Sequence, residues 1–73
     1  MSIGTLPIVY TVKVCSACEG LRTSWAEQGI QYEERRIDEN QAWLDEALGY
    51  AGEVPIIVYP DGSVEVGFED EVG

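Results

Sequence analysis

Ile8-Val9-Tyr10-Thr11-Val12-Lys13-Val14-Cys15-Ser16-Ala17-Cys18 is the stretch on which the fold turns. Its first five residues are β-branched or aromatic and follow Pro7, so Ile8–Val12 reads as a buried strand ended by a Lys13-Val14-Cys15 turn. From Ser16 to about Gln28 the apolar positions Cys18, Leu21 and Trp25 recur at helical spacing, and Gly29 stands where that helix should stop. The chain's two cysteines therefore lie at a strand-to-helix junction, with Cys15 at the strand's carboxyl end and Cys18 on the inward stripe of the helix. Two thiols separated by two residues can close a disulfide across the first helical turn and store two electrons without gross refolding. The backbone N–H groups at a helix start stabilise an anion and lower the pKa of a thiol placed there, and Cys15 is positioned to be that thiolate.

Downstream, Gln31 to Ile37 alternates imperfectly through Tyr32 and Ile37, and its Glu33-Glu34-Arg35-Arg36 centre suits an edge strand. Asp38, three residues before Gln41, resembles a capping box for a second helix with Trp43, Leu44, Ala47 and Leu48 on one face, closed by Gly49. Val54-Pro55-Ile56-Ile57-Val58-Tyr59 reads as a third strand, Pro60-Asp61-Gly62 as a turn, and Ser63 to Phe68 as a fourth strand. The order β-α-β-α-β-β predicts a mixed four-stranded sheet with helices on its faces. Its first two strands are parallel across a right-handed crossover, and its last two form an antiparallel hairpin. Trp25, Trp43, Leu44 and Leu48 are expected in the core, with no binding role.

At 73 residues the chain makes one domain, 1–73, whose hydrophobic core supplies only roughly 3–5 kcal/mol of net stability. Two cysteines cannot form the multi-bridge framework of a small secreted scaffold. Neither a signal segment nor a long apolar span is visible, so a soluble, reducing, cytoplasmic setting is expected, with no membrane partner. Fourteen acidic residues oppose only Lys13, Arg22, Arg35 and Arg36, for a net charge of −10, which argues against a nucleic-acid partner. The acidity is most simply a solvated surface, and a basic protein partner is the sharper reading. Lys13 and Arg22 could favour a Cys15 thiolate, with Glu19 and Glu53 opposing them.

Taken together, Tyr10 five residues before the first cysteine, Cys15-Ser16-Ala17-Cys18, Val54-Pro55 ahead of an apolar strand, the Pro60-Asp61-Gly62-Ser63 turn and Gly67 resemble the glutaredoxin-like branch of the thioredoxin fold over nearly the whole chain. Within it, Glu27-Gln28-Gly29-Ile30 with Tyr32, Ala47-Leu48-Gly49-Tyr50 and Gly67-Phe68 look like NrdH-type redoxins, which serve ribonucleotide reductase. Asp61-Gly62-Ser63 and Asp70-Glu71-Val72 look more like mycoredoxins, which use a low-molecular-weight thiol. The chain departs from the family in four places. Glu53 replaces the usual Thr before Val-Pro, and Val12 replaces a common lysine. Ser16-Ala17 lacks the aromatic of CPYC, and Val64-Glu65-Val66 stands where NrdH-type proteins often carry Trp-Ser.

The resemblance implies a dithiol–disulfide oxidoreductase with Cys15 as nucleophile and Cys18 as resolving thiol. It also implies a cis peptide before Pro55, opposite the cysteines, and a substrate-binding surface including Tyr10, Val54, Pro55 and Gly67. For Tyr10 a plain strand-core role is equally open. The implied substrate is a disulfide-containing protein, ribonucleotide reductase among the candidates, and the implied donor is thioredoxin reductase or a low-molecular-weight thiol. This chemistry requires no metal or organic cofactor. The rival reading is a binding module in which two chains hold zinc or an iron–sulfur cluster through these cysteines. Glu69-Asp70-Glu71-Val72-Gly73 is too short for the family's third helix, expected to be truncated or absent. An exposed strip of strand residues such as Ile56 or Val58 should then remain, with low stability or weak self-association.

Overall fold

Val9 sits in the middle of the sheet, opposite Glu34 on one side and Ile57 on the other. The computed structural model describes residues 6–68. Its elements are β1 (Ile8–Thr11), α1 (Ser16–Gln28), β2 (Glu33–Arg36), α2 (Gln41–Leu48), β3 (Ile56–Val58) and β4 (Val64–Val66). The strand order is β2-β1-β3-β4, with β1 parallel to β2 and antiparallel to β3, and β3 antiparallel to β4. The predicted mixed sheet, its parallel first pair and its terminal hairpin are all present, and the charged Glu33–Arg36 strand lies at an edge. The strands are shorter than the sequence suggests. β3 begins only at Ile56, since Pro55 has no N–H to give the ladder.

Side-chain alternation along β1 divides the core. Val9 faces α1 and packs with Leu21, Trp25 and Ile57, joined by Tyr32, Tyr59 and Phe68. Tyr10 faces the other way and packs with Ala47 and Ile56. Leu21 is fully buried, so truncating it to Ala would cost roughly 2–5 kcal/mol. Helix α1 ends at Gly29 as its sequence predicts. The glycine adopts φ 73° and its N–H reaches the carbonyls of Trp25 and Ala26, a left-handed cap that a β-carbon would strain.

Three expectations are corrected. The cap of α2 is Asn40, whose Oδ1 accepts from the N–H groups of Ala42 at 2.9 Å and Trp43 at 3.2 Å. Asp38 is too far upstream and is occupied elsewhere. With the helix starting at Gln41, only Ala47 is fully buried on its inner face, and Leu48 is 61% exposed. The strip expected to be bare is covered at Ile56 but not at the sheet's edge, where Val64 and Val66, paired with Val58 and Ile56, are 39% and 45% exposed. Ile56 is buried beneath α2 and Val58 is half-buried, while on the α1 face Tyr59 and Phe68 close over Val9 and Ile57. Phe68 lies over α1 at Gly20, where a β-carbon would stand 3.6 Å from its ring, an ordinary van der Waals distance. The expectation about Glu69–Gly73 falls outside the described residues.

Candidate active site

Cys15 is the N-cap of α1. Its backbone is extended, at φ −160° and ψ 106°, as an N-cap requires, and its carbonyl accepts the first helical bond, from Glu19 N–H at 3.0 Å. Its Sγ takes the place of the usual capping oxygen, accepting the Cys18 N–H at 3.0 Å. A sulfur in that position receives a backbone donor and the positive end of the helix dipole together, and both favour a thiolate over a thiol.

Cys15 and Cys18 are joined in a disulfide, with their Cα atoms 5.2 Å apart. Cys15 is 5% exposed and Cys18 not at all, so the capping sulfur's residue is the one that solvent reaches. Ala17 and Val54 complete their buried cluster, and Val12, Ile37 and Phe68 pack against it. On the outer side of the pair, Ser16 is exposed and Val14 is 89% exposed.

Val54–Pro55 is a cis peptide, as the resemblance implies, and Val54 lies against the cysteines. Pro55 is fully buried, and its carbonyl accepts the Gly67 N–H at 2.7 Å. That bond ties the exit of β4 to the Val54–Pro55 segment, and Gly67 makes it at φ 90°, a conformation suited to glycine. Cys15, Cys18 and Val54 are thus brought together, and Pro55 and Gly67 adjoin them through the chain and this bond.

Tyr10 is not brought to the cysteines. It follows Val9 in the strand and so points to the α2 face, where its hydroxyl donates to Glu46 at 2.9 Å and its ring lies 5.9 Å from the Arg35 guanidinium. Burial, and then Glu46, push its pKa above the ordinary tyrosine value. There it lines a separate cleft of about 390 Å³ with Ile8, Arg35, Glu46, Gly49 and Tyr50.

The carboxylates that hold the cysteine loop are not apparent from the sequence. Glu34 Oε2 accepts from Thr11 Oγ1 and from Arg22 Nε, both at 2.7 Å, and Arg22 Nη2 also donates to the Val12 carbonyl at 3.4 Å. Asp38 Oδ2 accepts the Lys13 N–H at 3.1 Å. The Arg36 hydrogen bond, with help from that N–H, holds the Asp38 carboxyl at about 2, below the ordinary 3.8. Period-two alternation through Glu33-Glu34-Arg35-Arg36 was the available signal, because it places Glu34 on the face of Val9, toward α1.

Among the described residues no three His, Cys, Asp or Glu side chains converge as a metal site, and no helix is long and apolar enough to cross a membrane. The chain matches no protein-family model, no curated protein and no solved structure. Its four-stranded mixed sheet, two helices and disulfide-bonded Cys15–Cys18 pair fit a thioredoxin-like redoxin.

Proposed function

We propose that this chain is a thiol–disulfide oxidoreductase of the glutaredoxin and NrdH type, working by a dithiol mechanism. The observation that carries the reading is the asymmetry of the pair: Cys15 Sγ caps α1 and accepts the Cys18 N–H, while Cys18 is sealed from solvent. In the reduced protein the Cys15 thiolate attacks one sulfur of a substrate disulfide. A mixed disulfide forms and the other substrate sulfur leaves as a thiolate. Cys18 then loses its proton and attacks Cys15 Sγ, which closes the intramolecular disulfide and releases the second substrate thiolate. Two electrons pass from the dithiol to the substrate, which takes up two protons from solvent.

Beside Cys15 in the chain, Val14 is 89% exposed and would meet whatever substrate docks at the cysteine pair. An extended substrate segment would lie along Val54 and Pro55, as the family resemblance implies. The oxidised pair is returned to the dithiol by an external reductant, either thioredoxin reductase with NADPH or a low-molecular-weight thiol.

Coupled assays test the proposal. The oxidised chain is supplied with NADPH and thioredoxin reductase, or with glutathione or mycothiol and the matching reductase, plus a disulfide-bonded test protein. NADPH consumption that depends on the chain and disappears in Cys15→Ser is the expected result. A Cys15→Ser variant as active as the unaltered chain, or no turnover with any donor, would overturn the reading.

A further inference from the structure

We propose that Arg22, held by Glu34, is a positioning residue for the Cys15 sulfur. The inference rests on the oxidoreductase reading above and adds to it a device built from residues outside the cysteine pair.

Three elements meet at the cysteine loop, and Glu34 and Arg22 touch all three. Glu34 stands on β2, opposite Val9 in the parallel ladder. One of its oxygens accepts both the hydroxyl of Thr11, the last residue of β1, and the Nε of Arg22 on α1. Arg22 extends on to the carbonyl of Val12, three residues before Cys15. On the helix, Arg22 is four residues after Cys18 and so lies one turn along the same face. The carboxyl end of β1 is therefore fastened to α1 just before the chain turns into Cys15.

The burial of these groups makes the fastening stiff. Thr11 is fully buried, and the Arg22 and Glu34 side chains are each only 27% exposed. A planar guanidinium that donates both to a carboxylate on β2 and to a carbonyl just beyond β1 fixes direction as well as distance. What it fixes is the angle at which the strand enters the helix. On that angle depends whether Cys15 Sγ meets the Cys18 N–H and the helix's positive end. The loop is held at a second point, where the Lys13 backbone N–H donates to Asp38.

Charge and position predict opposite signs when Glu34 is replaced. If the pair acted only through its field, removing a carboxylate would favour the Cys15 thiolate and lower its pKa. If it acts by holding the loop, removing the acceptor frees Arg22 and Thr11, the sulfur loses its donor, and the pKa rises.

The experiment measures the pH dependence of iodoacetamide alkylation of Cys15 in the reduced full-length chain, in a Cys18→Ser background so that one thiol reports. Glu34→Val keeps strand propensity while removing the acceptor. Arg22→Lys keeps the charge but loses the fork. Glu46→Gln, in the separate α2-face cluster, is the control. The expected result is an upward shift of the midpoint in Glu34→Val and Arg22→Lys, with the thiolate fraction at pH 7 falling about tenfold, and no shift in Glu46→Gln. Circular dichroism of each variant accompanies the titration. Should Glu34→Val fail to fold, Arg22→Lys and Thr11→Val, each more conservative, decide the matter by the same shift. An unchanged or lowered midpoint in the folded variants overturns the positioning role and leaves the oxidoreductase reading intact. A midpoint near the ordinary cysteine value of about 8.5 in the Cys18→Ser background alone overturns that reading itself, and the positioning role with it.

Discussion

The backbone N–H of Cys18 donates to Cys15 Sγ, so each cysteine contributes a different part of itself to one site. Cys15 supplies a sulfur at the helix start, and Cys18 supplies the amide that steadies it while its own sulfur is buried. The reaction proposed above uses this division, beginning at the Cys15 sulfur and ending at the buried Cys18 thiol.

Cys18→Ser should accumulate a stable mixed disulfide with a disulfide-bonded substrate, and Cys15→Ser should not. Mass spectrometry after acid quenching reads the difference directly. In the reduced unaltered chain, limiting iodoacetamide at neutral pH should label Cys15 well ahead of Cys18. Faster labelling of Cys18 would mean that the roles are reversed.

Much of this arrangement is legible in the sequence because it depends on local rules. The β-branched run, the two cysteines and Gly29 place β1, α1 and its cap within a residue, since strand propensity, helical spacing and a left-handed glycine are decided by near neighbours. The second helix is read less well. Asp38 and Asn40 both have capping side chains and both precede Gln41, and local pattern cannot separate them. What decides is tertiary: Asp38 is held by Arg36 and by the Lys13 N–H, which leaves Asn40 to cap. Tyr10 illustrates another limit. Its distance in sequence from Cys15 suggests a neighbour, but strand alternation sends its ring to the opposite face of the sheet. The Glu34–Arg22 pair joins residues twelve apart, and alternation along β2 predicts only the face of Glu34, while its partner is set by the β1–β2 register.

Asn40→Ala should lower the stability of the chain by about 1 kcal/mol, the usual cost of deleting an N-cap side chain. Asn40 satisfies two otherwise orphaned amides, those of Ala42 and Trp43, in a helix only eight residues long. Asn40→Asp or Asn40→Ser should recover most of the loss. Urea denaturation compares the three, and an alanine variant as stable as the unaltered chain would show that α2 is held by packing alone.

Gly20 lies within α1, where glycine is less favourable than alanine by about 1 kcal/mol. The space for a β-carbon is there, since its nearest neighbours would be two Phe68 ring carbons at 3.6 and 3.7 Å, ordinary van der Waals distances. Gly20→Ala should therefore stabilise the fold by roughly 0.5–1 kcal/mol and raise the thermal midpoint. A lower midpoint would show that the methyl group pushes Phe68 away from the cluster it closes.

Asp38 links the cysteine loop to pH. Its carboxyl lies at about 2, below the ordinary 3.8, chiefly because Arg36 hydrogen-bonds the charged form and the Lys13 N–H adds to it. A carboxyl whose pKa is depressed by folding stabilises the folded state above its unfolded value, and that contribution is lost as pH falls through the folded value. The Lys13 anchor should therefore hold down to about pH 3 and be released across a transition centred near pH 2. The amide proton of Lys13, followed by NMR from pH 6 downward, should move with a midpoint near 2. In Asp38→Asn that transition should vanish. A Lys13 transition centred near 4 would show that Asp38 titrates as a free surface carboxylate and does not restrain the loop.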